Sequence, residues 1–323
     1  RCEAANKLMT QMVSDYCAGI SLVFTPELFN AYRKLISEAH SSLNYWVFAE
    51  LISIPTEETL FSNLQNQDFG KITEARQLIQ RQIAKKLKED IVLMQKSLDK
   101  IPASNKSPFQ TFDIISAGAR RLQHVCHSYL LLIQPEKTES ALVEQFNNSL
   151  GKNMTDCISA LSLLLNNNSS QSSKLLERFY DYWQGDAGAV NYWFNVQAAA
   201  HSVHVVKLVE QLTSHRAFDL SNPNKVYALL GTFIKNPYGF HAISGKGYQL
   251  IVDVILKLEK INPTLAANLA EKFNDWDKYD EKKQQLMLSH LEFLSTNATT
   301  ADVRNMTKKG LDKKKHDSSP PVT

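Results

Sequence analysis

Cysteine is scarce in this chain of 323 residues: Cys2, Cys17, Cys126 and Cys157 stand far apart and none forms a C-x-x-C pair. That excludes a small disulfide framework and points to a reducing, cytoplasmic setting. A membrane-length apolar run is missing too. The longest uncharged stretch, Ala187 to Val206, contains Asn191, Asn195, Gln197, His201, Ser202 and His204, which lipid would not accept without partners. Charge of one sign is also lacking. The formal charge is +3, and Lys308, Lys309, Lys313, Lys314 and Lys315 set against Asp312 and Asp317 account for all of it. The body is therefore neutral and demands neither a nucleic-acid nor a membrane partner. The chain begins at Arg1 without an initiator Met or a signal-like apolar segment, so it looks like a piece of something longer. Sequons at Asn105, Asn147, Asn153, Asn167, Asn168, Asn297 and Asn305 carry little weight without such a signal.

No alternating strand pattern stands out, nor a fixed-period repeat of the tetratricopeptide or ankyrin kind. Helical periodicity dominates instead. Ala75, Ile79, Ile83, Leu87, Ile91 and Met94 recur every three or four residues, predicting one long amphipathic helix whose polar side carries Arg76, Arg81, Lys85, Lys86 and Lys88. That basic strip reads as a solvated helix face. Breakers at Ser107-Pro108, Gln134-Pro135, Asn166 to Ser173, Gly185 to Gly188, Asn222-Pro223, Asn236-Pro237 and Asn262-Pro263 cut the chain into comparable helical pieces. Thr25-Pro26, Asn222-Pro223 and Asn262-Pro263 place a side-chain acceptor before a proline whose missing N–H costs a first helical turn nothing, so helices start there. Irregular helix pairs that cannot bury an apolar face alone do so by stacking. The fold class expected is all-α, a right-handed superhelical solenoid of antiparallel helix pairs, HEAT or armadillo-like, over residues 1–306. Residues 307–323, Lys-rich and then Ser/Pro-rich, read as a basic disordered tail.

Chemistry-bearing motifs are absent. There is no H-E-x-x-H, the arrangement that lets two imidazoles one helical turn apart meet a zinc ion beside a carboxylate base. His124-x-x-His127, with Cys126 nearby, and His201-x-x-His204, with Glu210 beyond, put imidazoles on one helix face, where packing competes with metal binding. Gly239 to Gly247 fails as a phosphate loop, since its spacing is wrong and Gly247 stands where a Ser or Thr should meet magnesium. No G-x-S-x-G elbow or paired-carboxylate signature is present. The aromatic residues Phe179, Tyr180, Tyr182, Trp183, Tyr192, Trp193 and Phe194, with Trp276, read as helix–helix core. The chain has no catalytic, cofactor-binding or metal-binding residue by this reading.

Whole strings say more. Asn153-Met154-Thr155-Asp156, Val190 through Trp193-Phe194 to Gln197-Ala198, Asn222-Pro223-Asn224, Asn236-Pro237 with Phe240-His241 and Gly245-Lys246-Gly247-Tyr248, and Asn262-Pro263 occur in order. Earlier strings agree: Ile54-Pro55-Thr56-Glu57, Ala75-Arg76, and Arg120-Arg121-Leu122 with Tyr129-Leu130. Together they resemble the C-terminal helical domain of the bacterial-type aminopeptidase N family of zinc metallopeptidases, from the first helix to about Leu294. The resemblance implies that a β-rich domain, a thermolysin-like catalytic domain carrying the zinc, and a small β-sandwich precede this one. It implies a domain that holds no zinc itself and whose partners are its own catalytic domain and the short peptides admitted to that domain's zinc. Two positions depart from the family pattern: Tyr227 and Asn268 stand where basic residues are usual. With Thr264, the resemblance places them on the wall facing the active site, as substrate-channel candidates. Simple packing of Tyr227 and helix-start polarity at Thr264 and Asn268 compete with that role. A free-standing helical scaffold binding a protein partner on its concave face is the alternative.

Overall fold

The computed structural model describes residues 2–42, 44–64, 68–101 and 113–317, and every regular element among them is helical. The expected break at Ser107-Pro108 and the sequon at Asn105 lie outside the described residues. The chain forms two compact units, Arg1–Leu175 and Leu176–Thr323.

The first unit contains α1 (Cys2–Cys17), α2 (Pro26–Ser42), α3 (Tyr45–Ile52), α4 (Glu57–Asn63), α5 (Phe69–Lys86), α6 (Lys88–Leu98), α7 (Ile114–Leu130), α8 (Pro135–Ser149) and α9 (Met154–Asn166). Ala75, Ile79, Ile83, Leu87, Ile91 and Met94 are all buried, as their spacing predicts. They do not lie on a single long helix, however. Leu87 leaves helical geometry (φ −113, ψ 19) and divides α5 from α6. The bend has a packing cause: α5 lies against α1 and α4, whereas α6 lies against α2, and both reach α7. Arg76, counted with the basic strip, turns inward, donating from Nε to the carbonyl of Pro55 at 2.8 Å and pairing with the buried Glu57 at 3.3 Å. Buried Tyr129 fastens α7 to the end of α3 by donating its hydroxyl to the carbonyl of Ile52.

The helix α10 (Ser172–Trp183) leads into the second unit: α11 (Ala187–Ala198), α12 (Val205–Leu212), α13 (Pro223–Val226), a π-helical turn (Tyr227–Gly231), α14 (Thr232–Lys235), α15 (Lys246–Leu258), α16 (Pro263–Ala270), a 3-10 segment (Glu271–Lys278), α17 (Glu281–Asn297) and α18 (Ala301–Asp317). The strings that carried the resemblance are largely its punctuation. Asn222 Oδ1 accepts from the N–H of Asn224 at 3.0 Å to start α13, and Asn262 Oδ1 accepts from Leu265 at 3.0 Å to start α16. In the first unit Asn153 caps α9 in the same way, accepting from Asp156 at 3.1 Å. Buried Asn236 donates to the carbonyls of both Ala198 and Ala200 at 2.8 Å, tying the end of α14 to the end of α11. Gly247 is packing chemistry rather than phosphate chemistry, because a Cβ there would come within 2.2 Å of the Gly239 carbonyl oxygen.

The aromatic residues divide. Phe179, Trp193, Phe194 and Trp276 are core, Trp193 Nε1 donating to the carbonyl of Leu176 at 2.9 Å, but Tyr182 and Tyr192 are exposed. The chain end also differs from expectation. Helix α18 runs to Asp317 through residues expected to be a disordered tail from 307. Thr307 is fully buried, Trp276 Nε1 donates to the carbonyl of Gly310 at 3.0 Å, and Lys313 Nζ donates to the carbonyl of Asn274 at 2.8 Å while pairing with Asp277. Lysine density signals disorder here only because the acceptors of Lys313 lie more than thirty residues upstream in the 3-10 segment.

Candidate functional site

Tyr227, Asn268 and Thr264 are brought together by two elements of the second unit, the π-helical turn and α16. Tyr227 opens the π-helical turn after α13, and its ring lies against Gly231, where an added Cβ would approach Cδ1 to 3.2 Å. A π turn admits an extra residue and redirects the helix beyond it, a local irregularity common where a side chain must be aimed. The ring stays 48% exposed. Thr264 and Asn268 are four residues apart on α16 and therefore share its outer face, while Leu265, Ala266, Leu269 and Ala270 face the core. Asn268 Nδ2 reaches the Tyr227 hydroxyl at 3.5 Å, and Thr264 donates to Asp302 Oδ2, on α18, at 3.2 Å.

The result is an exposed polar strip of a phenol, an amide, a hydroxyl and one carboxylate. It can orient a polar group through neutral hydrogen bonds; it offers no guanidinium for bidentate capture of a carboxylate. Sequence reasoning reaches three of its members and misses Asp302, whose only signal is a contact made across 38 residues.

The other candidates lie elsewhere. His124 and His127 do sit on one helix, α7, but His124 Nδ1 shares a hydrogen bond with Ser159 Oγ at 2.7 Å. Burial pushes both imidazoles down to about 4, with Arg121 and His127 adding to the effect at His124. Burial likewise pushes the Cys126 thiol up to about 12, far from the thiolate a metal requires. His201 and His204 were expected on one helix face. They precede α12 in non-helical chain, and His201 stacks on Tyr238 with ring centroids 4.7 Å apart. The cause is Asn236, which holds the carbonyls of Ala198 and Ala200 where a continued helix would need them. Among the described residues, no group of three or more His, Cys, Asp or Glu side chains comes together that could hold a metal ion. No helix among them is long and apolar enough to cross a membrane.

Residues 1–312 match the family described as Domain of unknown function (DUF3458_C) ARM repeats. Aminopeptidase N of Haemophilus influenzae is 28% identical over 300 residues, 91% of this chain and 33% of that protein. Aminopeptidase N of Escherichia coli is 26% identical over 299 residues, with the same 91% and 33% shares. The crystal structure of Legionella pneumophila aminopeptidase A in complex with aspartic acid matches with a TM-score of 0.93 and 50% identity, over 97% of this chain and 37% of that one. The chain thus spans about a third of the length of the relatives it matches. Nearly the whole length is covered, the solenoid class agrees, and the two curated relatives share one name, so the chain belongs to the DUF3458_C ARM-repeat family and is the C-terminal helical domain of the aminopeptidase N family.

Proposed function

We propose that this chain serves a larger zinc-dependent aminopeptidase by capping its catalytic domain and limiting which peptides reach the zinc. The observation that carries this reading is the pairing of near-complete coverage of this chain with coverage of only a third of each aminopeptidase. The remaining length of such an enzyme would supply the zinc, its ligands and the general base. This domain's contribution is access and environment: excluding bulk water strengthens the electrostatics that hold a peptide's amine and polarise its scissile carbonyl. Tyr227, Asn268 and Thr264 are the residues we assign to the substrate-facing wall. Their neutral hydrogen-bonding groups form part of the channel without closing an ion pair on the substrate. Because the Legionella relative is described in complex with aspartic acid, acidic amino-terminal residues are among the substrates proposed for the parent enzyme.

The test compares two purified proteins on aminoacyl amides, including aspartyl and alanyl forms: the complete gene product and the 323-residue chain. Chelator-sensitive release of amino acids by the complete product alone supports the reading. Turnover by the short chain, or no peptidase activity in a zinc-loaded complete product, overturns it. A free-standing scaffold would give the second outcome.

A further inference from the structure

The least explained feature of the molecule lies wholly within the first unit. A cavity of about 660 Å³ opens between α6, α7 and α8, with Asp156 of α9 at its wall. That is within the size range of small-molecule sites. Its lining is unusually rich in buried polar groups: Gln95 is 8% exposed, His127 5% and Thr138 3%.

Several of these groups have no partner. Gln95 Oε1, Gln145 Oε1, His127 Nδ1 and Arg120 Nε are buried and make no hydrogen bond, and all four residues line this one cavity. Leaving such an atom unpaired costs about 1–3 kcal/mol, so four around one space are more than a packing accident would supply. Two of the side chains are anchored through their other polar atom: Gln95 Nε2 donates to Asp99 Oδ1 at 2.9 Å and Gln145 Nε2 donates to the carbonyl of Asp156 at 2.9 Å. Arg120 Nε itself faces Asp156 Oδ1 at 4.0 Å, an ion pair without a hydrogen bond. The two amide oxygens are thus fixed in place with their bonding capacity unused.

The chemistry of the wall selects the ligand class. Arg120 offers, on a cation, an N–H that makes no hydrogen bond, and Lys96 and Lys137 also line the cavity; these groups suit a carboxylate. The amide oxygens of Gln95 and Gln145 offer unused acceptors, and Asp99 and Glu144 also line the cavity; these groups suit an ammonium. The three cations balance the three carboxylates Asp99, Glu144 and Asp156, which disfavours a polyanion such as a phosphate ester and equally a polycation.

We propose that this cavity is a binding site for a small zwitterion, a free amino acid or short peptide, with its carboxylate at Arg120 and its ammonium at Gln95 and Gln145. The ligand chemistry comes from the wall alone; only its source, the peptides and products of the parent enzyme, rests on the proposed function. Binding and peptidase activity are separate measurements, so either can fail without the other.

The test is calorimetric titration of the 323-residue chain with dialanine, with its N-acetylated, C-amidated analogue, and with inorganic phosphate. Saturable binding of dialanine, at least tenfold weaker for the capped analogue, is expected. Arg120→Gln and Gln95→Met should each weaken it at least tenfold while the unligated chain melts within a few degrees of wild type, and Tyr192→Phe, at an exposed ring of the second unit, should leave it unchanged. Should either cavity variant fail to fold, competition between dialanine and the capped analogue on the wild-type chain decides. No saturable dialanine binding, equal binding of the capped analogue, or tighter binding of phosphate would overturn the site; the first of these would mean that water alone fills it.

Discussion

In the second unit the buried Glu259, 1% exposed, accepts from the N–H and hydroxyl of both Thr299 and Thr300 at 2.9–3.1 Å, which fastens the end of α15 to the start of α18. In the first unit Gln95, Arg120, His127 and Gln145 surround a cavity, each with a polar atom left unpaired. Glu259 uses its buried polarity to join two helices; the four side chains of the first unit leave part of theirs facing an opening. The contrast teaches how to tell a structural polar residue from one available for binding: not by burial, which both sets share, but by whether the chain itself completes the hydrogen bonds.

The sharpest way to break that contrast is Glu259→Ala. Removing a carboxylate that holds four donors should destabilise the chain by about 3 kcal/mol in urea denaturation, since those donors lose their acceptor. A loss below about 1 kcal/mol would mean that the network does little.

Acid sharpens the contrast from a different side. Burial alone would push the Glu259 carboxyl up, but the backbone and hydroxyl donors of Thr299 and Thr300 outweigh it and hold the pKa below the usual range. Its stabilising effect is therefore present above the ordinary carboxylate range and fades only as the pH falls through the lower folded value. His127 works in an earlier window. Its unfolded imidazole takes up a proton near 6.5, whereas the folded one, buried, resists until about 4. Stability is therefore lost as the pH falls between those values, by about 3 kcal/mol for a shift of this size. His124, also pushed down to about 4, and His241 in the second unit, pushed down to about 3, add to the loss. Chemical denaturation from pH 7 to pH 4 should show a shallower decline for His127→Gln than for wild type. Parallel declines would contradict a neutral buried His127.

A smaller effect is expected at the cavity itself. Gln95→Met keeps side-chain volume and removes an acceptor that has no partner together with one donor bond to the exposed Asp99, which keeps Gln123 as a partner, so its cost should stay near about 1 kcal/mol, roughly a third of that of Glu259→Ala. If it costs as much as Glu259→Ala, the two units do not differ as described. The smallest change is Tyr227→Phe: its hydroxyl is exposed and meets Asn268 at 3.5 Å, so the melting temperature should move by no more than about a degree or two.

What is legible in the sequence is local. Asn153, Asn222 and Asn262 announce helix starts because a cap needs only its next two or three residues, and the stripe from Ala75 to Met94 shows its face because periodicity is a neighbour property. The bend at Leu87 is hidden, since it arises from which helices α5 and α6 pack against and not from Pro or Gly. Lys313 and Gly310 resemble a tail because Asn274 and Trp276, which hold them, are distant in the chain. Tyr227, Thr264 and Asn268 are reached through family resemblance. Their proximity, the π turn that sets Tyr227 and the partner Asp302 become visible only in three dimensions. His127 stands out in the sequence as a metal candidate; its place on the cavity wall cannot be read from spacing on α7.

The central claim is that this domain influences substrate choice while leaving the chemistry to another part of the enzyme. The most direct measurement is kcat/KM of the complete gene product for aspartyl, alanyl and arginyl amides, in wild type and in the Tyr227→Arg, Asn268→Arg double variant. The account predicts unchanged zinc content and a shift of at least threefold in the ratio of aspartyl to arginyl kcat/KM, carried mainly by KM, because two guanidiniums on the wall attract one substrate and repel the other. An unaltered ratio across the three substrates, with folding and zinc content intact, would contradict the assignment of Tyr227 and Asn268 to the substrate-facing wall.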